Sequence, residues 1–341
     1  MRKHQAQRGG AAAVFLRLVV MGLFVAVIGA GVITFELNRR VAEPGPLEEP
    51  SILWIERGNG VTTVAGKLEE MGAIEDDRLF RLAGRLNKLA PDLRAGEFEI
   101  PAGASVRDII LLLKEGEPLL RFVTIPEGRT SKQVLSIINE TALLEGTLEL
   151  PPAEGSLLPE TYSFQRGDTR TSILTRMESA HNEVLEELWP GRAEGLPFET
   201  MEEAVILASI VEKETGIAAE RPRVAAVFVN RLKKGMRLQS DPTIIYGLTG
   251  GEPLGRGIRQ SELKRETPYN TYIIRGLPPT PIANPGRDAI AAVLNPADTD
   301  DLYFVADGTG GHVFATTLRD HNENVRKWRQ VEAERRRTEN Q

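Results

Sequence analysis

The 341-residue sequence predicts an α+β protein in three parts: a single N-terminal transmembrane helix, a small α+β module, and a larger mixed α/β domain that carries the candidate chemistry. Three observations predict it. An apolar run from Ala11 to Phe35 carries one charge, Arg17. Between about 52 and 117, short helical periodicities are punctuated by glycine and proline turns and by one alternating strand. From 118 to 332, further strand and helix patterns follow, enough for a second core in a chain of this length.

Composition excludes several function classes. The formal net charge of −6 is spread over both signs without a basic stripe, so nucleic acid is not an expected partner. There are no cysteines, which removes disulfides, thiolate nucleophiles and cysteine zinc sites together. The four histidines, His4, His181, His312 and His321, do not pair at the spacing of a helical metal site, so neither a metal nor another cofactor is expected.

The apolar run follows "MRKHQAQRGG", residues 1–10, with Arg2, Lys3 and Arg8. A cleavable signal peptide has the same basic start, but residues 11–35 exceed a typical signal core and no A-x-A-like site follows before "ELNRR". The reading is an uncleaved span. The basic excess before it places the N-terminus in the cytoplasm and the remaining chain outside, despite Arg39 and Arg40 just beyond the span. Residues 36–51, with three prolines and alternating charges, read as a tether.

The module at 52–117 begins with a glycine turn and a threonine before an amphipathic helix carrying Val64, Leu68 and Met71, which Gly72 closes. A second helix covers about Asp77 to Leu86. A short strand at Glu97 to Ile100 and a helix from Ser105 to Gly116 complete it. The arrangement resembles a LysM-type glycan-binding domain; a packing spacer is the plainer alternative.

The larger unit opens with a strand at Arg121 to Ile125, a Pro-Glu-Gly turn and a helix that Thr130 or Ser131 caps. It ends before a charged tail at 333–341, which reads as a frayed helix end. Its most informative stretch is "ILASIVEKETG", residues 206–216. On a helix starting near Met201, Glu214 extends the apolar stripe of Leu207, Ile210 and Val211, whereas Glu212 falls roughly 200° away, on a face with smaller side chains. Gly216 stops the helix and leaves Glu214 in its last turn. Desolvation and the helix dipole there both raise a carboxyl pKa, and a carboxylic acid still protonated near neutral pH is what protonation of a glycosidic oxygen needs. The alternative is that both glutamates are solvated at a helix end, beside Lys213 or Arg223.

Four long motifs sharpen the reading. "LASIVEKETG", "RVAAVFVNRLKKGMRLQSDPTIIYG", "TPYNTYIIRGLPPTPIANPG" and "LYFVADGTGGHVFATTLRDHN" together resemble the endolytic murein transglycosylase, or YceG-like, family. The resemblance implies a bitopic inner-membrane lyase whose periplasmic domain cuts nascent peptidoglycan glycan strands at the β-1,4 bond between N-acetylmuramic acid and N-acetylglucosamine. It implies 1,6-anhydro ends, a role in terminating strand elongation, and peptidoglycan synthases as partners. By the same resemblance Glu214, followed by Thr215, matches the catalytic glutamate, with Glu212 as runner-up through an alignment on "VAAVFVNRL".

One carboxyl suffices for such a reaction, whereas a two-carboxylate hydrolase needs a second acid. Asp241 is the best candidate for that, or else a turn-forming residue before Pro242. "LQSDPT" is expected to expose Gln239, Ser240, Asp241 and Thr243 on a loop, as groups for sugar hydroxyls and acetamido groups. "YNTY" adds Tyr269, Asn270 and Tyr272, and "EGSLLPETYSF" adds Glu160 and Tyr162 as groove residues. His312 sits at the edge of a glycine-rich hairpin as a turn or substrate-binding residue.

Overall fold

The computed structural model describes residues 6–339; Arg2, Lys3 and His4 of the basic start and the last two residues of the tail lie outside the described residues. The chain divides into two compact units, one of Met1–Leu120 with Gln165–Gly167 and one of Arg121–Phe164 with Asp168–Gln341.

In the first unit, helix α1 (Ala6–Ala42) is unbroken, and within it Ala13–Ala42 is long and apolar enough to cross a membrane, with none of its apolar window buried. The helix continues past Phe35, where Glu36 accepts hydrogen bonds from Arg39 (2.7 Å) and Arg40 (3.2 Å). The expected tether at 36–51 is therefore helical to Ala42, and the proline-rich remainder is docked rather than free. The Gly45 N–H donates to the Gly103 carbonyl at 3.2 Å, and the Gly103 N–H donates to the Leu47 carbonyl at 2.8 Å. A Cβ on Gly45 would stand 2.4 Å from the Ala104 oxygen, so only glycine fits that approach.

Strand β1 (Ser51–Ile55) pairs antiparallel with β2 (Gly96–Ile100), and helices α2 (Val61–Glu70) and α3 (Asp77–Leu86) lie between them in the chain. Helix α2 starts at Val61 behind Gly60, so Thr62 and Thr63 sit inside its first turn rather than capping it. Gly72, at φ 72°, supplies the left-handed residue after its end. Helix α4 (Val106–Glu115) opens on a reciprocal cap between Ser105 and Asp108. Leu53, Leu68, Phe80, Phe98, Ile100 and Ile109 form the core of this unit.

The second unit begins with β3 (Arg121–Thr124), helix α5 (Ser131–Glu140) capped by Thr130, and β4 (Thr161–Phe164), which pairs antiparallel with β3. Then come α6 (Arg170–Leu188), α7 (Met201–Glu214), α8 (Arg221–Lys233), α9 (Asp241–Thr249), the short α10 (Gln260–Leu263) and α11 (Arg287–Leu294). An antiparallel hairpin of β5 (Tyr303–Ala306) and β6 (His312–Ala315) precedes α12 (Leu318–Glu339), which takes in most of the charged tail. The chain is thus a mixed α/β protein whose described strands form separate two-stranded sheets.

Helix α7 is the centre of the larger core. Thr200 and Glu203 cap it reciprocally, and Glu202 and Glu203 place negative charge where the dipole favours it. Every residue from Ala204 to Val211 is buried, among α8, α9 and α11. A one-sided apolar stripe was expected; a helix buried all round is a core helix, and it leaves no solvated face for Glu212.

Candidate active site

The site is built where α7 ends. Thr215 turns extended (φ −141°, ψ 131°) and stops the helix one residue before the expected Gly216, so Glu214 is its last residue. The Ser240 hydroxyl donates to Glu214 Oε1 at 2.6 Å. Ser240 is itself fixed: its N–H donates to Thr271 Oγ1 at 3.0 Å, and its carbonyl accepts from Thr243 Oγ1 at 2.7 Å. Gln239 adopts φ 53°, uncommon outside glycine, and donates its N–H to the Thr271 carbonyl at 3.1 Å. That kink points the chain into α9. Ser240 and Thr243, expected on an exposed loop, are buried, because their hydroxyls bond inward, Ser240 to Glu214 and Thr243 to the Ser240 carbonyl and the Thr271 hydroxyl.

A cavity of about 510 Å³ opens on Glu214, lined also by Arg231, Gln239, Asp241, Tyr272, Tyr303 and His321. Burial pushes the Glu214 carboxyl up to about 7; the Ser240 hydrogen bond opposes this, and the nearby Asp241 charge adds to it. Asp241 Oδ1 accepts the Tyr272 hydroxyl at 2.7 Å. Of the expected site residues, Glu214, Gln239, Asp241 and Tyr272 thus share one cavity wall.

The others lie elsewhere. Asn270 is 1% exposed and staples its loop: its side-chain NH₂ donates to the carbonyls of Glu262 (3.2 Å), Leu263 (3.2 Å) and Arg265 (2.7 Å), and its Oδ1 accepts the Tyr272 N–H at 3.0 Å. Both amide hydrogens are spent within the protein, and the burial of the side chain keeps it from a sugar. The Tyr269 hydroxyl bonds Thr280 at 2.8 Å and its ring meets Tyr246 edge-on. Tyr162 is a core residue whose hydroxyl donates to the Leu158 carbonyl at 2.8 Å, while Glu160 is exposed ahead of β4. The inward alternation of Tyr162 with Phe164 along β4 was the signal of that burial. His312 Nδ1 and N–H both contact Glu220, at 2.7 and 2.9 Å. Burial pushes Glu220 up, but the hydrogen bonds from His312 outweigh it and leave its carboxyl below the usual range.

Glu212 is not solvated. Its side chain is 5% exposed, its Oε2 accepts the Gly286 N–H at 3.0 Å, and Arg221 rather than Arg223 stands 3.7 Å from its Oε1. Burial raises its carboxyl, the Gly286 bond opposing. The two glutamates are therefore separated by partners, not by exposure: Glu212 joins the loop before α11 to α8, and Glu214 faces the cavity. Arg231, Tyr303 and His321 escaped the sequence reading. The signal for Arg231 was an arginine set between Asn230 and Leu232, directly after the apolar run of residues 224–229.

Residues 53–327 match the YceG-like family. The endolytic murein transglycosylase of Bacillus subtilis (strain 168) is 30% identical over 305 residues, covering 80% of this chain and 83% of that protein. Its namesake in Streptococcus pneumoniae serotype 2 (strain D39) is 29% identical over 320 residues, and the aligned region spans 57% of that longer protein. The crystal structure of a yceG-like protein from Listeria monocytogenes aligns with 81% of this chain and 98% of its own, at 28% identity and a TM-score of 0.49. With its family match running from β1 into α12, this chain belongs to the YceG-like family.

Proposed function

We propose that this chain is a membrane-anchored endolytic murein transglycosylase in which Glu214 is the single acid and base. The observation that carries the reading is a carboxyl at the end of a core helix, raised to about 7 by burial, hydrogen-bonded to a fixed Ser240 and facing a cavity. Protonated Glu214 donates to the glycosidic oxygen as the bond from C1 of N-acetylmuramic acid breaks. The resulting carboxylate then takes the proton from the C6 hydroxyl as O6 closes onto C1, giving a 1,6-anhydro end and consuming no water. Ser240 donates to the carboxylate form and orients it for that second transfer.

Gln239 and Tyr272 contact the sugars, and Asn270 positions Tyr272. Asp241 shares its Oδ1 with the Tyr272 hydroxyl and adds its charge to the burial that keeps Glu214 protonated; it is not the base that a two-carboxylate hydrolase would need. Helix α1 anchors the chain with the site on the outer side of the membrane, beside peptidoglycan synthases, where cutting nascent strands terminates their elongation. The order of β1, α2, α3 and β2 supports a LysM-like glycan-binding role for the first unit.

The test is turnover of un-crosslinked glycan strands by the full chain in detergent. Glu214→Gln should lose about 10²–10⁴-fold or more in rate while still binding strands. Glu212→Gln should fold and retain most turnover. A dead Glu212→Gln beside an active Glu214→Gln, both folded, would overturn the assignment.

A further inference from the structure

Arg231 is a buried cation whose nearby acid, Glu214, stays outside ion-pair distance. It is 7% exposed on α8, and no carboxylate lies within ion-pair distance of it among the described residues. Two backbone carbonyls fix its plane: Nε donates to Leu302 at 2.7 Å and Nη1 to Leu238 at 2.6 Å. Its guanidinium carbon stands 5.2 Å from the Tyr303 ring centroid. The third nitrogen, Nη2, has no acceptor among the described residues, and the side chain forms part of the cavity wall that includes Glu214.

Burial lowers the pKa of this guanidinium, and the Glu214 carboxylate, beyond ion-pair distance, only partly offsets that cost. If it were only a structural clamp between the chain before β5 and the chain before α9, a neutral donor would serve at less cost. A planar cation held by two carbonyls with its remaining donor turned to a cavity is instead a preorganised site for an oxygen acceptor. The groups that distinguish the expected substrate from a plain glucan are acyl groups: the acetamido carbonyl at C2 of both sugars and the lactyl carbonyl at C3 of the muramic residue.

We infer that Arg231 is a substrate-binding residue whose Nη2 receives an acyl oxygen of the sugar seated beside Glu214. The inference rests on the proposed glycan-cutting function and deepens it. It makes Arg231 a determinant of which sugar enters the cavity, whereas Glu214 acts on whatever is bound. Tyr303 and the His321 ring stacked on it, centroids 5.1 Å apart, stand on the same wall and would shape the space around that acyl group.

The experiment measures binding in the full chain carrying Glu214→Gln, so that affinity is read without turnover. The ligands are un-crosslinked murein strands, chito-oligosaccharides of equal length, and chito-oligosaccharides stripped of N-acetyl groups. Adding Arg231→Gln should weaken murein binding about tenfold or more, as expected for loss of a charge-assisted hydrogen bond, and Arg231→Lys should recover part of it. If the lactyl group is the source, the loss disappears on chito-oligosaccharides; if the acetamido group is the source, the loss persists on them and disappears once N-acetyl groups are removed. The ligand series also reads the contact with Arg231 intact, should Arg231→Gln fold poorly: removing the responsible acyl group should cost a similar factor. Equal affinity of Arg231→Gln and its parent for every ligand, or indifference of the parent to both acyl groups, would overturn the inference while leaving the glycan reading intact. No binding of any strand by the parent would overturn the glycan reading and this inference with it.

Discussion

Replacing Glu214 by glutamine should stabilise the protein, and by an amount that depends on pH in a calculable way. The carboxyl moves from 4.5 to about 7 on folding, chiefly through burial. Between those two values the folded chain holds a proton that the unfolded chain has released, so stability falls as pH rises through that window. The difference, at 1.36 kcal/mol per unit, is a destabilisation of about 3 kcal/mol fully present above pH 7 and absent below about 4.5. The amide of the variant carries no charge to desolvate, and its side-chain oxygen still accepts from Ser240. Denaturant unfolding of both chains at pH 4.5 and pH 8 should therefore show Glu214→Gln more stable by about 3 kcal/mol at the higher pH, with the gain gone at the lower one. A variant less stable than the parent at pH 8, or a difference independent of pH, would refute the claim that Glu214 is held as a desolvated acid.

Ser240→Ala removes the hydroxyl that favours the Glu214 carboxylate. A hydrogen bond to a charged group is worth about 1.5–3 kcal/mol, so the alkaline limb of the kcat/KM profile should move up by about one to two pH units. Asn270→Ala loses a loop staple to three carbonyls, and thermal melts should show destabilisation of about 1–3 kcal/mol, with glycan affinity falling only through the loosened Tyr272. A reporter active only outside the cytoplasm, fused after Gln341, should be active, since Arg2, Lys3 and Arg8 precede the apolar run; its silence beside an active cytoplasmic reporter would reverse the orientation.

Periodicity and capping made several elements legible. Asp77–Leu86 matched its expected bounds, the helix expected from Ser105 ends at Gly116 as expected, Thr130 rather than Ser131 caps α5, and the hairpin around Asp307–Gly311 followed from its glycines. The expectation that Glu214 lies in the last turn depended only on local sequence, and α7 does end there. What was not legible depends on partners distant in the chain. The Gly286 N–H and Arg221 that enclose Glu212 are 74 and 9 residues away, and no helical wheel contains them. Asn270 in "YNTY" has the same composition whether it binds sugar or staples a loop; three carbonyls between Glu262 and Arg265 decide it. Gly45 and its prolines look like a tether because a docked loop and a free one share the same turn residues; the Gly103 and Ala104 backbone makes the difference.

The central claim is that one carboxyl cuts the strand without water. Mass analysis of the new ends made by the full chain on un-crosslinked murein strands tests it most directly. A water-free cut by Glu214 predicts 1,6-anhydro-muramic ends, one water lighter than reducing ends, as the dominant product, and their loss with Glu214→Gln. A majority of reducing ends would contradict it, because water would then be the nucleophile and Asp241, beside Glu214 in the same cavity, would have to be the base that activates it.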